Sequence, residues 1–393
     1  MTPAARIQAS IGILDAILDG APAEQTLTTW ARRNRYAGSG DRAAVRDHVF
    51  GALRCRRSFA WLGGAETGRA LMLGAVRAAG QDPADLFTGA AYAPLPLTAD
   101  ETRSRSLEDA PEGVRLDMPD WLLPALRESL GDAFEPVCRA LRHRAPVFLR
   151  SNLRKATRGG AASALRAEGI ETRPHPLSPT ALEVTANARK VQGSKAFADG
   201  LVEVQDAASQ AVVDALPLDD GDRVLDYCAG GGGKALAMAA RADLRVVAHD
   251  SNPGRMRDIP FRAARAGAAI GIWDKGRPPA QPGFDLVLCD APCSGSGAWR
   301  RTPDAKWRLT AGGLRQLQET QLQVLTAAAE LVRPGGHLAY VTCSLLGSEN
   351  GGVISAFRAG RRGWSLSGEL RLTPLDGGDG FYLGLLTSPS RRT

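Results

Sequence analysis

Residues 287–308 read VLCDAPCSGSGAWRRTPDAKWR. An apolar run from Phe284 to Leu288 stops at Asp290. A Pro292-Cys293 pair follows, then a Ser/Gly-rich turn, then a basic run interleaved with Trp299 and Trp307. A short apolar run bounded by turn residues is the pattern of a buried strand in a parallel sheet. The chemistry of such sheets sits outside the carboxyl ends of their strands. Asp290 and Cys293 are therefore presented at a site, and the rest of the chain can be read as serving it.

Working outward, residues 206–393 alternate strand and helix, which gives an α/β, doubly wound parallel sheet. Strands are expected at 223–226, 245–250, 268–273, 284–288 and 337–341, with a helix over 314–332. Asp206 is placed to cap the helix carrying Val212, Val213 and Leu216. FYLGLLTS, from Phe381, is expected as a last, antiparallel edge strand. Residues 145–205 read as a small α/β unit, with strands at PVFLRSN, TALEVT and LVEVQD and a helix at GGAASALRAEG. Its Arg150, Arg154, Lys155 and Arg158 are either a surface that tracks a nucleic-acid backbone or a solvated loop. Residues 1–140 look helical: Ile7, Ile11, Leu14 and Leu18 recur at helical spacing, as do Val45, Val49 and Leu53 after Asp41. Arg46, Arg54, Arg56 and Arg57 read first as a solvated face and second as a phosphate-contacting one. Residues 90–103 are Pro-rich and read as a long connection, and a helix is expected from Pro119 toward Leu130.

The totals narrow the class. With 393 residues there is room for two or three domains. Hydrophobic content of 44% and charged content of 23% are those of a soluble globular protein. No apolar run approaches the roughly 20 residues of a membrane span, and the first residues lack the unbroken apolar core of a signal peptide. The net charge of +7 admits a polyanionic partner. Six cysteines, none in a C-x-x-C pair, suit a reduced, cytoplasmic chain. Cys289 and Cys293 lack a second ligand pair, so no metal site is expected.

The first expected strand ends in LDYCAGGGGKALAMAA, a Gly-rich turn leading into a helix, where a ligand can approach the backbone closely. It is not a phosphate-binding Walker loop: Lys234 is followed by Ala235, and Cys228 stands where the first glycine belongs. Acids close successive strands: Asp226, Asp250, Asp274 and Asp290. The second is placed for a ribose diol and the third for an adenine amino group. Such a set suits an adenosine-containing cofactor and leaves open S-adenosylmethionine or a nicotinamide dinucleotide.

Two thiols, Cys293 and Cys343, follow the fourth and fifth strands and should share one rim. Cys228 and Cys289 sit closer to strand interiors and read as packing residues. Paired thiols suit methylation at C5 of a pyrimidine: a thiolate adds to C6, making C5 nucleophilic, and the C5 proton must then leave. Asp290 could stabilise charge that develops on the base, with Lys234 complementing the acids. Nothing in nicotinamide chemistry calls for two strand-end thiols. The residues alone do not say which thiol attacks.

The motifs LDYCAGGGGK (225–234), HDSNPGRM (249–256), CDAPCSGSGAWRRTPDAKWR (289–308) and VTCSLLGSEN (341–350) resemble the Sun/RsmB-type family of RNA 5-methylcytosine methyltransferases. The similarity covers about residues 115–393. DRAAVRDHVFGALR (41–54) is similar, more loosely, to a NusB-like RNA-binding domain. The resemblance implies a Rossmann-like methyltransferase domain behind a small α/β RNA-binding unit and a helical NusB-like domain. It implies S-adenosylmethionine held by Cys228, Ala229, Gly230, Gly231, Gly232, Gly233, Lys234, Asp250, Arg255, Asp274 and Asp290. It further implies Cys343 as nucleophile and Cys293 as the thiol that assists product release. Ribosomal RNA is the expected partner of a monomeric, cytoplasmic enzyme. Transfer RNA is the alternative substrate, and an RNA-binding assembly factor without catalysis the alternative class. One departure stands out. The family usually reads Cys-Ala-Ala-Pro-Gly-Gly-Lys, whereas here four glycines follow Ala229, and losing proline's fixed φ makes the free loop more flexible. The basic run Arg300, Arg301, Lys306 and Arg308, with Trp299 and Trp307, is expected along the RNA path.

Overall fold

A computed structural model describes residues 1–103, 105–273 and 283–390. The chain forms two compact units. One is Met1–Arg144 together with Trp299–Arg308; the other is Ala145–Ala298 with Leu309–Thr393.

The second unit holds two sheets. The larger has seven strands: β5 (Arg223–Asp226), β6 (Arg245–Ala248), β7 (Ile270–Ile272), β8 (Phe284–Asp290), β9 (Val332–Thr342), β10 (Ser365–Leu372) and β11 (Phe381–Thr387). The smaller has β1 (Val147–Ser151), β2 (Glu171–Pro174), β3 (Ala181–Ala186) and β4 (Val202–Val204). The large sheet runs β10-β11-β9-β8-β5-β6-β7. Its β7-β6-β5-β8-β9 core is parallel. From β5 the chain winds outward through β6 and β7, then returns to lay β8 and β9 on the other side of β5. That reversal opens a crevice at the carboxyl ends of β5 and β8. Four consecutive residues of β8, Leu286 to Cys289, are buried, as expected of a strand covered on both faces.

Some expected boundaries move. The helix near 314–332 is Ala311–Ala329, capped by Thr310 Oγ1 accepting from Gly313 N, and Val332 already belongs to β9. The strand from Phe381 is antiparallel to β9 but is not an edge, because β10 covers its far side. β10 and β2 escape notice in the sequence for one reason: both are exposed edges whose polar residues hide the alternation. Asp206 caps its helix as expected, accepting from Ala208 N.

The small sheet is antiparallel, in the order β2-β3-β1-β4, and shares its core with the helix Arg158–Ala167. Its cations bond backbone carbonyls, Arg150 buried and Arg154 and Lys155 still exposed. Arg150 donates to Gly233 O at 2.9 Å, Arg154 to Gly267 O and Ala239 O, and Lys155 to Asp199 O and Arg265 O. Arg158 reaches Ser178 O. Arg150, Arg154 and Lys155 fasten the small sheet to the segments around Gly233, Ala239 and Gly267.

The first unit is helical, led by Pro3–Leu18, Ala23–Arg33, Ser39–Arg54, Arg56–Gly63 and Gly68–Ala78. Leu14, Val45, Val49, Leu53 and Leu71 meet in its core. Arg46, Arg56 and Arg57 are paired with Glu24, Glu66 and Asp120. Arg54 is buried and donates to Arg300 O at 2.8 Å.

The basic run after the Ser/Gly turn is built into this unit. Trp299, Arg300 and Lys306 are buried. Lys306 Nζ donates to Asp117 O at 2.6 Å and Arg54 O at 3.2 Å, and Trp307 Nε1 donates to Leu53 O at 2.6 Å. Burial, the main cause, pushes the Lys306 ammonium down to about 8, against the pull of Asp117. The expectation that this whole run lies along an RNA path is therefore corrected: its two indoles and its lysine are structural. Trp299→Ala should destabilise the helical unit by about 3–5 kcal/mol, the scale for deleting a buried large aromatic. Arg308→Ala, at an exposed position, should cost no more than about 0.5 kcal/mol. Urea unfolding curves of both variants would check the contrast.

Candidate active site

The carboxyl ends of β5, β8 and β9 supply the centre. In register, Asp226 of β5 stands opposite Leu288 of β8, and Asp290 of β8 opposite Val341 of β9. Two residues past Val341 is Cys343, and three past Asp290 is Cys293. Their sulfurs lie 3.5 Å apart. Both side chains are partly accessible, whereas Cys289 is fully buried.

Lys234, near the start of the helix Gly233–Ala239, reaches across the same crevice. Its ammonium sits 2.7 Å from Asp290 Oδ2 and 5.0 Å from the centre of the Phe381 ring. Burial works against its charge, but Asp290, Cys343 and Asp226 more than compensate, so its pKa lies above the ordinary lysine value. Cys293 is held as a thiol well above the ordinary range, first by its hydrogen bond to Cys343 and then by burial. Burial, reinforced by Asp226, Asp290 and Asp250, pushes Cys228 up to about 12, which removes it from thiolate chemistry.

The glycine loop adjoins this centre. Gly230 and Gly232 have φ of +51° and +78°, which strongly favours glycine. A Cβ on Gly230 would come within 3.0 Å of Arg255 Nη2, and one on Gly232 within 2.8 Å of Ile259 Cγ1. Asp250 is buried. Its Oδ2 accepts from Gly230 N at 2.9 Å and its Oδ1 from Asn252 N at 2.8 Å, with Arg255 Nη1 3.2 Å from Oδ2. Oδ1, with one donor, keeps a second lone pair for a ligand hydroxyl. Asp226 is also buried, and neither of its oxygens has a donor in good geometry. Burial first, then Asp290, pushes its carboxyl up to about 7, with Lys234 and the Ala235 amide opposing. A bare-backbone loop, a diol-accepting acid and a buried acid in need of a donor fit an adenosine-bearing cofactor with a cationic end. Asp274 lies outside the described residues.

The sequence reading missed what fixes the two thiol loops. Glu349 is completely buried. Its carboxylate accepts from Ser294 N and Gln321 Nε2 at 2.8 and 2.9 Å, and from the hydroxyls of Ser294 and Ser344. Ser294 follows Cys293 and Ser344 follows Cys343, so one carboxylate clamps both loops. Gln321 also donates to Pro292 O, and Gly297 N to Cys343 O. The only sequence signal was an acid six residues after the second thiol, a spacing with no meaning until the loop is folded. Among the described residues, no group of His, Cys, Asp and Glu is arranged to hold a metal ion, and no helix is long and apolar enough to cross a membrane.

Comparison with known proteins agrees with this arrangement. Residues 213–380 match the family described as 16S rRNA methyltransferase RsmB/F, and residues 118–192 the ferredoxin-like domain of RsmF/B-like methyltransferases. Ribosomal RNA small subunit methyltransferase B of Salmonella arizonae is 34% identical over 295 residues, 71% of this chain and 68% of the relative. The chain belongs to the RsmB/F methyltransferase family. The Vibrio cholerae methyltransferase B is 36% identical over 251 residues, covering 62% of this chain and 57% of that one. The solved structure of PH0851 shares the fold, with a TM-score of 0.75 and 22% identity over 98% of this chain and 99% of that one. NSun6 from Pyrococcus horikoshii, solved with SFG, has a TM-score of 0.61 and 18% identity, covering 69% of this chain and 98% of that one. As a member of this family the chain is an RNA methyltransferase with a Rossmann-like domain, and its helical N-terminal unit fits the NusB-like type.

Two measurements test the site's internal forces. Glu349→Ala would leave Ser294 N–H and one Gln321 N–H without an acceptor, and turn the Ser294 and Ser344 hydroxyls to each other and to Ser296, so it should cost about 2–3 kcal/mol and lower methyl transfer with it; urea unfolding paired with an activity assay reads both. Asp226 titrates higher folded than unfolded. Between about pH 4 and pH 7 the native state therefore holds the extra proton, and stability falls as pH rises through that window. Asp226→Asn should remove this decline and gain on the order of 3 kcal/mol relative to wild type at pH 8. Parallel stability curves for the two proteins from pH 4 to 8 would show that Asp226 titrates normally.

Proposed function

We propose that this chain is an RNA (cytosine-C5) methyltransferase that takes its methyl group from S-adenosylmethionine, acts on ribosomal RNA in the cytoplasm, and works through a covalent cysteine–C6 adduct. The observation that carries the reading is the pair of sulfurs 3.5 Å apart beside the Lys234–Asp290 ion pair. The relatives' name, ribosomal RNA small subunit methyltransferase B, supports the choice of RNA.

S-adenosylmethionine, when bound, supplies the electrophilic methyl. Every other task falls to the chain. Asp250 and the 228–233 backbone hold the donor, with Arg255 beside them. Asp226 supplies a carboxyl for its cationic end. Cys343 attacks C6, the role that the family resemblance implies, while its neighbour Cys293 is held protonated. Asp290 keeps a third of its side chain exposed and accepts from the amino edge of the base, so charge developing on addition meets a fixed partner. Once Cys343 sulfur is bonded to carbon it no longer carries charge. The hydrogen bond that most raises Cys293 is then gone; Cys293, as the base, takes the C5 proton, and the C6–sulfur bond breaks, freeing the product and returning Cys343 as thiolate.

Cys343→Ala should form no adduct and transfer no methyl. Cys293→Ala should attack and methylate but fail to release, leaving a slow protein–RNA band on a denaturing gel with labelled RNA and S-adenosylmethionine. The double variant should show no band. An adduct from Cys343→Ala alone would reverse the roles, and full methylation by both single variants would remove covalent catalysis.

A further inference from the structure

The chain carries six free cysteines, and their surroundings sort them sharply. Cys55, Cys138 and Cys289 are buried. Burial pushes Cys55 up to about 11 and Cys138 up to about 12, so neither offers a thiolate near neutral pH. Cys228 is partly open, but burial first and the neighbouring acids second hold it at about 12. That leaves Cys293 and Cys343, both partly accessible, with their sulfurs 3.5 Å apart.

The backbone around this pair is pinned on both sides. Before the thiols, Ala291 N donates to Val341 O at 2.9 Å. After them, Gly297 N donates to Cys343 O at 2.9 Å, and the Glu349 carboxylate accepts from Ser294 N and from the Ser344 hydroxyl. Each thiol is therefore presented to the other as an intramolecular partner. A disulfide needs a sulfur–sulfur bond of about 2.05 Å, so the gap left to close is about 1.5 Å. Each sulfur swings on a single rotatable bond. Turning both side chains can cover that distance while the hydrogen bonds that pin the loops stay in place.

We propose that Cys293 and Cys343 form a redox modification site, which hydrogen peroxide converts to a disulfide. The Cys343 sulfur, as thiolate, attacks one peroxide oxygen. The O–O bond breaks, Cys343 becomes a sulfenic acid, and the departing hydroxide takes up a proton to become water. Cys293 then gives up its proton and attacks the Cys343 sulfur. The S–O bond breaks, the S–S bond forms, and a second water leaves. The two sulfurs together lose two electrons, and both peroxide oxygens end in water. A lone thiol at this place would pass on from sulfenic to sulfinic acid, which a dithiol does not reverse. Here the neighbouring sulfur intercepts the first stage, and thiol–disulfide exchange can undo it. Because the proposed function gives each thiol a task, the oxidised chain should transfer no methyl until a dithiol reductant reopens the bond. That consequence rests on the proposed function; the disulfide itself does not.

The test uses the full-length protein, reduced, exposed to hydrogen peroxide, quenched with catalase and alkylated in denaturant. Free thiols should fall from six to four, the two lost being those in the bond. The intact mass should drop by two hydrogens, and proteolytic fragments carrying residues 293 and 343 should be joined. Dithiothreitol should reverse all three readings. Methyl transfer to ribosomal RNA, measured on the same samples, should fall in proportion to the joined fraction and return with the reductant. Cys293→Ser should form no disulfide and instead collect two oxygens on Cys343, which dithiothreitol leaves in place. Cys343→Ser should show no joined fragments. A wild type that keeps all six thiols, joins any other pair or stops at a Cys343 sulfinic acid overturns the inference. Those wild-type readings decide it even if a serine variant fails to fold by circular dichroism. A Cys293–Cys343 disulfide in a chain that still methylates would fell the covalent mechanism of the proposed function and leave the modification site standing. Six unaltered thiols in a chain that methylates would do the reverse.

Discussion

The parallel pairing of β5, β8 and β9 is the constraint on which the site depends. Each strand contributes a group just past its carboxyl end, and the ladder register decides whether those groups meet. With Asp290 level with Val341, the two thiols fall on loops of nearly equal reach. A slip of one residue along β9 would turn Tyr340 and Thr342 to the opposite faces. Backbone hydrogen bonds set the distance between chemical groups only coarsely, and the buried Glu349 carboxylate sets it finely. Rigid strands bring the loops together, and one satisfied charge holds them.

Much of this was legible in residues 284–293 and 337–343. Buried parallel strands are continuous apolar runs, and their ends are marked by polar residues that cannot be buried without partners. Asp226, Asp250, Asp290, Cys293 and Cys343 could therefore be placed on one rim from spacing alone. What could not be read was tertiary. Glu349 reaches Ser294, 55 residues earlier in the chain, and no local pattern announces such a contact. β10 and β2 were lost because an exposed edge strand has little apolar periodicity to show.

The basic residues misled for a related reason. An arginine in a sequence looks the same whether it awaits a phosphate or has a carbonyl already. Arg150, Arg154 and Lys155 donate to backbone carbonyls of the neighbouring loops, and Lys306 is buried against two more. The net charge of +7 is thus a poor guide to where a polyanion would sit. The cations available to one are those that the fold has left in water without a carboxylate.

The membership of Trp299–Arg308 in the helical unit has a consequence for biosynthesis. Domains generally fold as units while the chain is being made, the N-terminal one first. Here the first unit made lacks its own Trp299, Lys306 and Trp307 until the ribosome has passed Arg308 and the strands β5 to β8 of the large sheet have been synthesised. Until then Leu53 O and Asp117 O have no donor from that segment. The two halves of this chain therefore mature together, and a cut at residue 144 would separate neither of them intact.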